Sequence, residues 1–141
     1  MTLKIFLDSD VVITSLISDS GAAHLLINNV KDLELYISNL SLIELEIIVE
    51  RLNIDKNLLI EVVNNRFQKV NLEKSNEKIK EQYGDYVLDI NDAHIVAGAN
   101  KGQVRFLITY NLRHYKLDKI KGDFGVIVLT PAQFLQYLRS L

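Results

Sequence analysis

No cysteine occurs among the 141 residues, which excludes a disulfide framework and any thiolate metal site. Histidine is scarce and scattered, at His24, His94 and His114, so an imidazole-based zinc centre is not expected either. Any metal has to be held by oxygen. Proline occurs once, at Pro131, and no stretch is rich in Gly, Pro or Ser. Without linkers, repeats or low-complexity tracts, a single domain over residues 1–141 is expected. Positive charge is not in excess: 16 Lys and Arg stand against 18 Asp and Glu, a formal net charge of −2. There is no global field of the kind that gathers nucleic acid, so any such binding must be local. No charged leader followed by a long apolar run opens the chain, and no apolar stretch approaches roughly 18 to 20 residues. These features predict a soluble, cytoplasmic protein with no membrane span.

What is present is a hydrophobic content of 48%, enough for a compact core, arranged as short apolar runs separated by helical patterns. Residues 4–13, KIFLDSDVVI, read as a buried strand interrupted by Asp8 and Asp10, with a helix over 11–17 behind it. Further helices are predicted over 22–30, from Ser41 to about 52, over 55–66 with Asp55 as cap, over 75–83, over 93–100, and from Pro131 to 141. Strands are predicted at 35–38, 70–72, 105–109 and 125–129, and residues 110–121 as a loop with one helical turn. Strands rich in Val, Ile, Leu and Phe that alternate with helices point to an α/β fold with a parallel sheet of four or five strands, covered on both faces.

In such a sheet ligands bind at the carboxyl ends of the strands. Three carboxylates fall at such junctions: Asp8 after the first strand, Glu44 in the first turn of the helix after the second, and Asp92 at the start of the helix that leads to residues 105–109. Gathered at one edge they repel each other, and a hard divalent cation, Mg²⁺ or Mn²⁺, relieves that repulsion. Each has a plainer explanation. Glu44 completes a capping box with Ser41, and Asp92 is a first-turn acid favoured by the helix dipole. Asp8 has the weakest such explanation, because an unpaired carboxylate beside a buried strand costs free energy unless something binds it. His24 and His94 read as packing or surface residues. Between Lys101 and Lys121 six cations face one acid, Asp118. Arg113, His114 and Lys116 in that stretch, with Tyr110 and Tyr115 as stacking platforms, are candidates for RNA contact.

The motifs FLDSDVVI, SLIELE, NDAHIVAGA and LITYNLRHY, in that order, resemble the PIN domain, and within it the toxins of VapBC-type toxin–antitoxin pairs. The resemblance implies a three-layer α/β/α domain, with Asp8, Glu44 and Asp92 matching the three leading acids that hold one or two divalent ions for RNA hydrolysis. It places Asp10 where the family often has asparagine or aspartate, and Asn111 where a fourth acid is frequent; the amide can still donate a carbonyl oxygen to a metal. Ser9 and Thr109 are expected to orient a ligand or water. An RNA substrate and a cognate antitoxin are the partners implied, and apolar faces at Ala22, Leu25, Leu26 and over 42–52, more than one small sheet needs to cover, point to a homodimer of the kind similar toxins form. Two alternatives remain at this stage. One is a haloacid-dehalogenase-like phosphatase with Asp8 as nucleophile and Asp10 as acid/base, which also needs a lysine and a later acid pair such as Asp89 and Asp92. The other is a catalytically inactive PIN-like module that binds RNA or protein.

Overall fold

The apolar runs become five short strands in a computed structural model of the chain, which describes residues 2–141. They are β1 (Leu3–Leu7), β2 (Leu33–Ser38), β3 (Phe67–Val70), β4 (Phe106–Ile108) and β5 (Ile127–Leu129). All neighbouring pairs are parallel, in the order β3-β2-β1-β4-β5. Side chains alternate across the sheet: Ile5, Leu7, Leu35, Ile37, Phe106 and Ile108 enter one core, and Phe6, Tyr36 and Leu107 the other. The first face is covered by α1 (Ser9–Ile17), α2 (Ala22–Asn28), α3 (Asn39–Arg51), α4 (Lys56–Arg66) and α8 (Pro131–Arg139). The second is covered by α5 (Asn76–Tyr83), α6 (Ala93–Lys101) and α7 (Leu117–Phe124). This is the three-layer α/β/α arrangement expected, with five strands. No single helix among the described residues is long and apolar enough to cross a membrane.

The chain runs outward from β1 to β2 and β3, then returns to lay β4 on the other side of β1. That reversal opens a crevice outside the carboxyl ends of β1 and β4, the position where open α/β sheets bind ligands. Helix α6 reaches the same edge because it lies almost in contact with β1. A Cβ at Gly98 would stand 2.6 Å from two ring atoms of Phe6, so only glycine permits this approach.

Several local expectations need correction. Helix α1 begins at Ser9 and not at 11, with Asp8 as its cap. The cap of α3 is Ser38, whose hydroxyl accepts from the Ser41 amide at 3.0 Å; Ser41 is already helical and buried, so no Ser41–Glu44 capping box forms. Glu44 therefore lies in the second turn of α3, not the first. The third strand is 67–70 and not 70–72. Residues 110–121, expected as a loop with one helical turn, contain a 3₁₀ turn at Leu112–His114 and the start of a longer helix, α7, whose Gly125 cap at φ +69° supplies the left-handed stop.

Candidate functional site

Asp8 leaves β1 at the crevice and is 8% exposed. Its Oδ1 accepts from the Ser9 amide at 2.7 Å. Its Oδ2 accepts from the hydroxyls of Thr109, just beyond β4, at 2.9 Å and of Tyr115 at 2.6 Å. Asp10, one helical residue further, turns its Oδ2 to the Tyr110 amide at 3.0 Å and to Nδ2 of Asn111 at 3.0 Å. Thr109 is 3.4 Å from that oxygen, but its one proton belongs to the nearer Asp8, and its oxygen accepts from the Asn111 amide at 3.1 Å.

Glu44 enters from α3 and Asp92 from the N-terminus of α6. Oε2 of Glu44 lies 3.1 Å from Nε2 of His94. Asp92 stands at the N-terminus of its helix without a side-chain cap to it, and lies 3.4 Å from Nδ1 of His114. Asp8, Ser9, Asp10, Glu44, Asp92, Asn111 and His114 line one cavity of about 350 Å³, together with Asp89 and the apolar Ile13 and Ile48. Arg113 lines a neighbouring hollow of about 190 Å³ with Tyr110 and His114, whereas Lys116 caps α7 and lines neither. Tyr115 is 4% exposed, so it cannot stack on a base. Tyr110, at 42%, can.

Crowding acids in a half-buried cavity sets their proton affinities. Burial, then the charge of Glu44, raises the Asp8 carboxyl against the opposing hydrogen bonds from Tyr115, Thr109 and Ser9. Burial and the charge of Asp8 push Asp10 up to about 7. Burial and the charges of Asp8 and Asp89 push Asp92 up to about 6, with His114 acting the other way. Glu44 alone moves down: burial raises it, but the hydrogen bond and charge of His94 and the nearby Ser9 hydroxyl outweigh that. The cavity thus holds more negative charge than its protein donors neutralise.

A hard cation fits this donor set in kind, since every candidate ligand is an oxygen. Asp10 Oδ1 is buried without a hydrogen-bond partner, as suits an oxygen facing a cation. As the side chains stand, no three His, Asp or Glu residues among those described converge closely enough to chelate one ion. No lysine lines the cavity, so the phosphatase alternative lacks a required member.

Two residues at the site escape a sequence reading. His94, taken as a packing residue, is a buried partner of Glu44; the available signal was a histidine flanked by Ala93, Ile95 and Val96 on a buried helix, which needs a polar contact. Tyr115, taken as a stacking platform, delivers a buried hydroxyl to Asp8.

None of the curated proteins matches the chain. Among solved structures it is similar to VapBC2 from Rickettsia felis, determined bound to a DNA fragment from their promoter, at 17% identity and a TM-score of 0.57, covering 91% of this chain and 98% of that one. It is also similar to PAE2754 from Pyrobaculum aerophilum, at 15% identity and a TM-score of 0.61, covering 100% of each. At such identities the likeness speaks for the fold. The PIN domain family model matches residues 4–113, a span that runs from within β1 to beyond β4 with Asp8, Glu44, Asp92 and Asn111, and the chain belongs to that family.

Proposed function

We propose that this PIN domain is an endoribonuclease dependent on Mg²⁺ or Mn²⁺, and the toxin of a toxin–antitoxin pair. One observation carries the reading: Asp8, Glu44 and Asp92, from three distant segments, line a single cavity at the carboxyl edge of the sheet. These three, their side chains drawn inward from their present positions, would hold the cation, with Asn111 at the rim as a neutral donor. Bound there, the ion supplies Lewis acidity at the phosphoryl oxygens and lowers the pKa of an attacking water.

The chain's own residues supply the rest. His94 keeps Glu44 ionised. Ser9 and Thr109 hold the Asp8 carboxyl by its two oxygens. Arg113 and His114, exposed beside the cavity, attract the RNA backbone, and Tyr110 offers its ring to an unpaired base. Lys116 contributes charge at a greater remove. An RNA strand would thereby be drawn to a mouth whose floor is acidic.

The resemblance to VapBC toxins and the likeness to VapBC2 support a protein antitoxin as partner. Ile17, Leu25, Ile43, Ile47, Leu52 and Leu58 on α1 to α4 and the turn after α3 are 40% to 65% exposed, which supports a homodimer or antitoxin contact on this side. Light scattering of the purified chain at micromolar concentration tests the dimer, and a monomer would count against it. The nuclease reading is tested by incubating RNA with metal-free protein, with and without added Mg²⁺ or Mn²⁺. Cleavage that needs the ion and vanishes in Asp8→Asn is expected. RNA binding without cleavage under all conditions would favour the inactive module.

A further inference from the structure

We propose that Tyr115 is a positioning residue for Asp8: its hydroxyl and that of Thr109 together fill Oδ2, so that Asp8 offers a divalent cation Oδ1 alone. The inference rests on the reading of the cavity as a cation-dependent nuclease centre.

An ionised carboxylate has about four acceptor positions, two on each oxygen. The Ser9 amide takes one on Oδ1 at 2.7 Å. Thr109 at 2.9 Å and Tyr115 at 2.6 Å take both on Oδ2. One position remains, on Oδ1, and Asp8 lines the acidic cavity. Three donors on three sides also fix the plane of the carboxyl group, which a lone cap from Ser9 would leave free to turn.

Tyr115 is placed for this by more than its own packing. Its ring is buried in the second core. Its backbone forms an antiparallel bridge with Val87, flanked by bonds from the Leu88 amide to the His114 carbonyl and from the Lys116 amide to the Tyr86 carbonyl, both 2.9 Å. The partner segment continues directly to Asp89 and Asp92, and His114 faces Asp92. Two adjacent residues of one clip therefore touch two of the three acids. Their relative placement is set by this clip as well as by the sheet.

Removing only the hydroxyl separates positioning from packing, because Tyr115→Phe keeps the buried ring. Calorimetric titration of metal-stripped wild type, Tyr115→Phe and Asp8→Asn with Mn²⁺ is paired with crystal structures of the first two soaked in Mn²⁺. Tyr115→Phe, folded by circular dichroism, is expected to bind Mn²⁺ about tenfold more weakly, the usual scale for a partner of a metal ligand. Asp8 should ligate through Oδ1 alone in wild type, and through both oxygens or a turned carboxyl in Tyr115→Phe. Equal affinity with identical Asp8 geometry in the two proteins, or ligation through Oδ2 in wild type, would overturn the role of Tyr115. Mn²⁺ affinity that Asp8→Asn leaves unchanged would instead remove the metal centre itself, and this inference with it.

Discussion

Nε2 of His94 lies 3.1 Å from Oε2 of Glu44, tying α6 to α3 across the acidic cavity. The contact keeps Glu44 ionised where its neighbours are driven toward protonation. His94→Phe fills a similar space and removes the partner. Mn²⁺ affinity should fall about 10- to 100-fold by the precedent of ligand-supporting residues, measured by calorimetry on the metal-stripped protein. Unchanged affinity would make His94 a packing residue after all.

That contact spans 50 residues of sequence, which is why it was not legible there. What a single chain displays well is local: the apolar run ending at Asp8, the Asp55 and Thr130–Pro131 helix starts, and the alternation that implies a parallel sheet. Helix α7 is short and opens without a side-chain cap, so its Leu117, Ile120 and Phe124 spacing reads as no more than a single turn in a basic loop. Ser38 and Ser41 both stand near the start of α3, and only the backbone geometry decides that Ser38 is the cap. The order of the strands, and hence the meeting of Asp8 with Thr109 and Tyr115, is a tertiary fact.

Asp8→Asn should abolish RNA cleavage while leaving the metal-free protein folded. Its carboxyl is buried and shares the cavity with Glu44, so neutralisation relieves both desolvation and repulsion. Residual cleavage by the folded variant at the wild-type rate would sink the assignment of Asp8.

Gly98→Ala tests how closely α6 must approach β1. The added methyl would stand 2.6 Å from the Phe6 ring, and overpacking of a filled core costs about 1–3 kcal/mol. Chemical denaturation should show that loss. Cleavage at saturating Mn²⁺ should drop as well, because Asp92 at the head of α6 moves with the helix. A variant as stable as wild type would mean that Phe6 yields freely.

Metal-free stability should fall as pH rises from about 5 to about 8. Asp10 titrates at 3.8 when unperturbed and at about 7 in the fold; Asp92 goes from 3.8 to about 6. Between those limits the native state retains protons that the unfolded state has released, so their contribution is complete below 3.8 and is lost as pH climbs through 6 and 7. Glu44 runs the opposite way, its contribution disappearing only in acid. Thermal unfolding in EDTA checks the sign, and saturating Mn²⁺ should flatten or reverse the slope. A metal-free midpoint that rises over this range would contradict the charge crowding described.

Asn111→Asp separates the two demands on the cavity's rim. The Asn111 amide donates to Oδ2 of Asp10 at 3.0 Å, so a carboxylate in its place removes a donor and sets a second charge against an acid already pushed to about 7. The metal-free variant should be less stable at neutral pH, because like charges then face each other while Asp10 Oδ2 keeps only the Tyr110 amide. Divalent ions reverse the balance. One more carboxylate raises affinity for a hard cation, so the stabilisation by Mn²⁺ should exceed that of wild type, and calorimetry should show tighter binding. Cleavage should persist, because Asp8, Glu44 and Asp92 are untouched. Equal metal affinity and stoichiometry in both proteins would place Asn111 outside the metal site and leave it as the donor that holds Asp10.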